Sequence, residues 1–526
     1  MSSDYTYTKQ EDSVIKRIIN YLNTQIMDDS KLAKTILMVG LSAYTSKPLN
    51  LMINAPFSEG KTYSAMQVLN QFPRKDVLFL GGMSPTALVH EQGTFVDEDN
   101  TSIEERLTEI HQKITKCKDN KEKQELEEQR RSILKNSKNL VDLKGKILVF
   151  LDTPNWELWR KLKPILSHDK EEIEFKVTDK KSNSLYTKST IISGWPAVIC
   201  CSAKNEEMYQ DWEEIQSRFL IKSPNTDVTK YKKANHLIAL KYSTPGFAKA
   251  KYNNEEERDN VRYIIEQIKD RLVQVRDPDI CFNPFNQIIA EALPSNEGST
   301  MRITEKFFAL CDLETQINGE NRCKLQNERC VSIEYLITDI ADIENTIELL
   351  DNPTALPPDK VKFVNNILKP AIAEVLDGYI TTAILAEKYK KVYGKPITPK
   401  KILESYLKPL ESVGIIEWKE DTNDRRVHLY RLASEIRDNT FDYIKSKIID
   451  YSKNNPSHVE SYVEELADNS SMGPCRYDTS WRSVEHPTID NVYILDPEGN
   501  IIPRDKAQSF LLSGPGAQTN IIPCHR

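Results

Sequence analysis

The stretch Ala55-Pro56-Phe57-Ser58-Glu59-Gly60-Lys61-Thr62 constrains this chain more than any other eight residues in it. It follows LNLMINA at 49–55, a short apolar run of strand composition, and leads into TYSAMQVLNQF at 62–72, whose apolar residues return at helical spacing. A glycine-bearing turn between a buried strand and a helix converges backbone N–H groups and a helix N-terminus on one point, which suits a polyanion. Lys61 adds a mobile positive charge, and Thr62 a hydroxyl able to hold magnesium. The spacing departs from the usual GxxxxGK[ST] pattern at its first glycine, where Ala55 stands.

A magnesium-bound nucleotide also needs a carboxylate at the end of a neighbouring buried strand. Asp152, which ends the apolar run KILVFLD at 146–152, is placed for that role. Thr153 follows it, so the usual acidic pair is missing. Either Glu157, about one turn into the next predicted helix, polarises the attacking water while Asp152 holds the metal with Thr62, or the site binds ATP with little hydrolysis. The expected cofactors are ATP and Mg2+, cradled by residues 55–62.

With 526 residues the chain exceeds one ordinary core, and five segments are expected. Residues 1–47 form a helical lead-in, and 48–243 a phosphate-loop core in which the Glu-, Lys- and Arg-rich stretch 102–139 reads as a charged helical insertion. Residues 244–361 make a helical lid and connector, 362–434 a smaller helix-and-strand module, and 435–526 a helix followed by a poorly ordered tail of loop composition. No window approaches eighteen uninterrupted apolar residues, and the N-terminus has no apolar signal region, so a cytoplasmic protein without membrane contact is expected. The nine cysteines include no CxxC pair, which gives no metal framework.

The order of these elements resembles the AAA+ branch that holds the minichromosome-maintenance and superfamily-3 helicases, and also uncharacterised ATPases of archaea and their mobile elements. The resemblance covers roughly residues 45–315. After the Asp152 strand come a helix, a hairpin at 171–192, the strand PAVICCSAKN and the sequence EIQSRF at 214–219. It implies that Lys180 and Lys181, in the hairpin tip DKKSN, face DNA in a central channel. Ser202 or Asn205 would be the polar group beside the γ-phosphate. Arg218 would reach the nucleotide of a neighbouring subunit, and Arg302, in STMRITEKFFAL, would be a second cationic contact. The charged stretch 102–139 lies outside that pattern, and Trp156, Trp159 and Trp195 are expected to pack in the core rather than stack on bases.

Residues 380–432 read as a threonine-capped helix, a second helix from near Thr398 and a two-stranded wing around DTNDRR, similar to a winged helix. This segment carries eleven lysines and arginines against seven aspartates and glutamates, in a chain whose net charge is −7. Lys400 and Lys401 start its second helix and Arg425 and Arg426 sit on the wing, which suits phosphate contacts. The fold class expected is α/β: an AAA+ phosphate-loop core with a helical lid, then an α+β winged helix. The reading that follows is an ATP-dependent DNA translocase or helicase acting as a homo-oligomer, a hexamer or partial ring. The alternatives are a DNA-bound ATP switch that does not unwind, as an initiator or regulator would be, and a protein-remodelling ATPase.

Overall fold

The computed structural model describes residues 14–81, 93–97, 101–117, 119–154, 156–179, 186–202, 212–245, 254–274, 280–293, 298–327, 334–350, 360, 363–375, 378–412, 416–421, 427–432, 440–455, 457–459, 461, 492–502, 506, 508–509 and 511. Two helices open it, α1 (Val14–Leu22) and α2 (Ser30–Ser42). The first buries Ile15, Ile18 and Leu22, spaced three and four apart on one stripe. Strand β1 (Asn50–Asn54) and helix α3 (Lys61–Leu69) flank the glycine loop, and β2 (Val77–Leu80) follows. A short strand β3 (Thr94–Val96) precedes the charged helical hairpin α4 (Glu104–Lys116) and α5 (Asn120–Asn136). Next come β4 (Lys138–Asp142), β5 (Ile147–Phe150), α6 (Trp156–Leu166), the antiparallel pair β6 (Glu172–Asp179) and β7 (Tyr186–Ser193), and β8 (Ala197–Ser202). The short α7 (Trp212–Gln216) leads to β9 (Leu220–Lys222), α8 (Val228–Ser243) and α9 (Glu255–Gln274).

Five of these strands form one parallel sheet in the order β2-β5-β8-β1-β9. Strands β5 and β8 are buried along their whole length, as expected of the middle of a sheet covered on both faces. The period-two alternation of strand side chains sorts them into two cores. Leu51, Ile53, Ile147, Val149 and Ile199 face α2, α3 and α9. Met52, Leu148, Phe150, Val198 and Cys200 face α6, whose Trp159 is fully buried and meets Phe219 edge-on at 5.6 Å. Trp159 is therefore a packing residue.

A second sheet, β3-β4-β7-β6, explains the charged insertion. The expected helical stretch is bracketed by two strands that pair with each other, and β4 continues the sheet of the β6–β7 hairpin. Hairpin and insertion are thus one built unit. The two helices project from it with only Ile110 and Ile114 buried, which leaves their many charges in water. Sequence periodicity sees the helices and misses β3, because three residues carry no readable alternation.

The expected helical lid is a mixed unit. It contains β10 (Cys281–Phe282), α10 (Asn286–Ala292), α11 (Gly298–Ile317), β11 (Lys324–Asn327), β12 (Glu334–Ile337) and α12 (Ile340–Leu349). The module at 363–432 has its own core of Phe363, Ile367, Leu385, Ile402, Leu407, Leu410 and Tyr430. Its helix α13 (Thr382–Tyr393) is capped by Thr381, and a helical run over 399–412 is capped by Thr398, whose Oγ1 accepts from Lys401 N at 3.2 Å. Strands β13 (Ile416–Glu420) and β14 (His428–Leu432) make the antiparallel pair expected of a wing, and Ile380 bridges to Tyr430 beside it.

At the C-terminal side the expected helix is present, and two short strands lie within the stretch expected as a loose tail. Helix α14 (Thr440–Asn454) packs on α10, and β15 (Val492–Leu495) and β16 (Ile501–Ile502) complete a sheet of order β10-β12-β11-β15-β16. The run VYIL is too short to read as a strand without its partner β11. Among the described residues no helix is long and apolar enough to cross a membrane.

Beneath that sheet lies a buried charge network. Asp342, fully buried, accepts from Arg322 Nε at 2.7 Å and from its NH2 at 2.6 Å, and Asp339 pairs with the same guanidinium at 3.2 Å. Glu314 on α11 lies 4.0 Å from Lys34 of α2, and its Oε1 has no hydrogen-bond partner. Burial outweighs that lysine and pushes the Glu314 carboxyl up to about 7. A carboxyl raised in the folded state stabilises fully below its unfolded value near 4.5, and that contribution is lost as pH rises through 7. Replacing Glu314→Gln should therefore leave stability near pH 4 unchanged and raise it above pH 8 by up to about 3 kcal/mol. Urea midpoints of both proteins across that range test this, and parallel curves would contradict it.

Candidate phosphate-binding site

Because the five strands run in one direction, their carboxyl ends share one edge, the place where open parallel sheets hold ligands. The glycine loop leaves β1 there, Asp152 follows β5, and Ser202 ends β8. Ala55 N donates to Ser202 O at 3.2 Å, tying the start of the loop to β8. Within the loop, Ser58 has φ 68° and Gly60 has φ 83°. Successive residues in and out of the left-handed region turn their N–H groups toward one concavity. Serine tolerates that conformation poorly, so the loop stores strain that an ordinary surface turn would lack. Nothing lies within 4 Å of where a Cβ on Gly60 would stand. This open space at the head of α3 fits a phosphate group.

Lys61 is buried, and its Nζ donates to the carbonyls of Ala55 and Pro56 at 2.6 Å each, spanning the loop that it follows. Burial lowers its pKa, while Cys201, Glu59 and Asp152 act in the other direction. Lys61 also lies 6.0 Å from the ring centroid of Phe57, which is 81% exposed. The Thr62 hydroxyl contacts Cys201, whose thiol burial pushes up to about 11. Asp152 is exposed and in electrostatic reach of Lys61. Magnesium takes one or two protein ligands and completes its shell with phosphate and water, so Thr62 and Asp152 suffice as a donor set.

At the second acidic position Thr153 makes a different contact. Its Oγ1 donates to Ser202 Oγ at 3.1 Å, and its backbone N–H donates to Asp152 Oδ1 at 2.8 Å. Ser202 is fully buried in this pair. Glu157 is exposed in the first turn of α6. Glu59 turns its carboxylate toward α8, where Tyr231 OH donates to Oε2 at 2.6 Å. Asn205, Lys180, Lys181, Arg425 and Arg426 lie outside the described residues.

The two arginines are at the opposite edge. Arg218 precedes β9, and its carbonyl accepts from Asn50 Nδ2 at the beginning of β1. A strand of five residues separates it from the loop by about 15 Å. Its guanidinium is buried, bonded by Nε to Ser167 Oγ at 2.7 Å and by NH2 to Glu214 at 3.1 Å, and Lys163 braces the same glutamate. Arg302 NH1 bonds Ser217 Oγ beside it. Lys306, which sequence reasoning missed, donates to Ser217 O and Phe219 O at 2.7 Å each. Burial, helped by Arg302, lowers it to about 7. Neither arginine reaches the loop of its own chain. Lys400 is 82% exposed and only loosely paired with Glu404 at 3.9 Å, and Lys401 is exposed beside it.

These features define a mixed α/β protein with a strand-loop-helix turn on the carboxyl edge of a parallel sheet. No family model and no curated protein matches the chain. Among solved structures, the Aeropyrum pernix Orc1 protein in complex with DNA matches at 11% identity, with 81% of this chain and 96% of that one covered and a TM-score of 0.19. Drosophila ORC bound to DNA matches at 10% identity over 84% and 94%, with a TM-score of 0.17. Superposition this poor carries no weight for fold or function.

Replacing Lys61→Ala should reduce ATP affinity or turnover on the order of a hundredfold or more, because it removes the only ammonium that spans the loop. Calorimetry with ATP and magnesium measures it, with thermal melting as the folding control. Unchanged binding in a folded variant would end the phosphate-loop reading.

Proposed function

We propose that this protein is a DNA-binding ATPase of AAA+ type that works as an ATP-dependent switch on DNA, as an initiator or regulator would, with ATP and Mg2+ held by residues 55–62, Thr62 and Asp152. The observation that carries the choice of a switch over a motor is Thr153. A motor turns over quickly because a carboxylate beside the metal-binding acid polarises the attacking water. Here that position is a hydroxyl already committed to Ser202, and the neighbouring carboxylate Glu59 is engaged by Tyr231. A site of this composition binds the triphosphate well and hydrolyses it slowly, leaving Glu157 as the candidate base.

The position of Arg218 and Arg302 on the far edge of the sheet favours a role between copies, in which the cationic edge of one subunit meets the loop edge of another. That supports a homo-oligomer, a partial or closed ring. The winged module supplies the DNA contact, because its capped 399–412 helix carries exposed Lys400 and Lys401 at its start. The helicase reading keeps one observation in its favour. The β6–β7 hairpin pairs over eight residues on each strand, and in sequence Lys180 and Lys181 directly follow its first strand.

Two expected outcomes follow. DNA should bind tightly while ATP turnover stays below about one per minute and rises little when DNA is added, slow like an NTPase lacking its full catalytic set. Steady-state hydrolysis with and without single-stranded and duplex DNA decides this, and strong stimulation would restore the translocase. Replacing both Lys400 and Lys401 by Ala should weaken DNA binding and flatten the slope of log affinity against log salt by about 2, roughly one counterion per phosphate contact. A slope equal to that of the wild type would move the DNA contact elsewhere.

A further inference from the structure

The phosphate loop contains an acid, Glu59, directly before Gly60, inside a concavity suited to receive a polyanion. Its charge lies close enough to Lys61 to act on that ammonium. A carboxylate there has two places to go. Turned inward, it competes with phosphate for Lys61 and repels the incoming charge. Turned outward, it needs a donor away from the cradle, and the structure supplies one: Tyr231 OH donates to Glu59 Oε2 at 2.6 Å from a residue 172 positions away in sequence. This hydrogen bond and the nearby charge raise the pKa of the Tyr231 phenol, which keeps it a donor at neutral pH.

The tyrosine is not loosely placed. The residue before it, Lys230, is buried and donates to Asp29 Oδ2 at 2.5 Å and to Asn225 O at 2.8 Å, and Asn225 N donates to Asp29 Oδ1 at 2.7 Å. Lys233 and Asp28 pair one turn further along. These contacts fasten the first turn of α8 to the residues before α2. On the loop side, Tyr63 of α3 donates to Gln25 O at 3.1 Å and lies under Lys241 of α8. The lead-in, the loop helix and α8 thus form one braced corner around the outer face of the loop.

We propose that Tyr231 is a positioning residue for the nucleotide, holding the Glu59 carboxylate out of the phosphate cradle so that Lys61 and the loop amides stay available to the triphosphate. The assignment rests on the phosphate-loop reading and adds to it a residue far from the motif. It also makes loop competence depend on the docking of α8 against the lead-in through Asp29 and Lys230. In this arrangement Tyr231 touches neither nucleotide nor metal and acts wholly through Glu59.

The test is a four-protein cycle on the full chain, comparing wild type, Tyr231→Phe, Glu59→Gln and the double variant by calorimetric titration with ATP and magnesium. Tyr231→Phe should weaken ATP affinity about three- to tenfold, the range expected when a hydrogen bond to a charged group is lost. Glu59→Gln removes the charge at nearly constant side-chain length, and whatever affinity that variant has, Tyr231→Phe should have no further effect in its background. The loss in the single variant should shrink at high salt, because the freed carboxylate acts by charge. Equal loss with and without the Glu59 charge would overturn the proposal and leave Tyr231 as a packing residue of α8. Unchanged affinity in Tyr231→Phe would overturn it too. A wild-type chain that does not bind ATP would instead overturn the phosphate-loop reading itself, a result distinct from the other two.

Discussion

The common direction of five strands is the constraint on which the rest of the structure depends. Each of β2, β5, β8, β1 and β9 is parallel to its neighbours, so the sheet has a chemical polarity, with one edge of strand ends and one of strand beginnings. Everything suited to a phosphate gathers at the first: the strained loop, Lys61, Thr62, Asp152 and the Thr153–Ser202 hydroxyl pair. At the second, Arg218, Arg302 and Lys306 converge on residues 214–219. Parallel strands require crossovers that cover both faces, and the helices that cover them build the two cores. Separation of loop and arginines by the length of a strand is therefore a property of the topology, independent of side-chain detail.

How far this was legible in the sequence varies with the range of the interaction. The strand-loop-helix at 49–72, the buried strands at 146–152 and 196–203, the Thr381 and Thr398 caps and the wing are local patterns. Each announces itself through apolar runs, periodicity or capping residues within about a dozen positions. Strands β3, β10, β15 and β16 did not, because two to four residues become a strand only when a partner elsewhere supplies the hydrogen bonds. Site residues divide in the same way. Lys61, Thr62 and Asp152 are named by motif and by strand end. Tyr231 and Lys306 are visible only after folding, since the first meets its partner across 172 positions and the second is a lysine on a helix face until burial against residues 217–219 singles it out. Thr153 was noticed as a missing acid, and what it does instead, bonding Ser202, required the register of β5 against β8.

Buried charges among the described residues form paired clusters, and Glu314 is a departure of consequence. Arg322, Asp342 and Asp339 satisfy one another beneath the lid sheet, and Lys230 and Asp29 do so beside the loop. Glu314 is less well matched, with a lysine 4.0 Å away across the α2–α11 contact and an Oε1 without a hydrogen-bond partner. A buried acid with so weak a partner keeps its proton near neutral pH. The junction between lead-in and lid thereby carries a titratable weak point, whereas the junction between lead-in and α8 is a paired and rigid one. The chain joins its elements by two different kinds of contact on the two sides of α2.

The pairing of β15 with β11 changes what kind of object the winged module is. The module at 363–432 leaves the lid unit after α12 and the chain returns to the same sheet at 492–502. Its chain is consequently anchored at both ends in one body, through the hydrogen bonds between β11 and β15, and is not a pendant on a single string. A pendant explores a sphere set by its linker length, while a doubly anchored insert has two ends that must travel together. Any rotation of that body moves both anchors at once, so a shift beneath the sheet is passed on as a displacement of the whole insert. The same topology makes residues 492–502 part of the scaffold. Trimming the chain after the wing would strip β11 of its partner β15, leave it paired with β12 alone and expose a raw sheet edge, a site for unintended pairing between molecules.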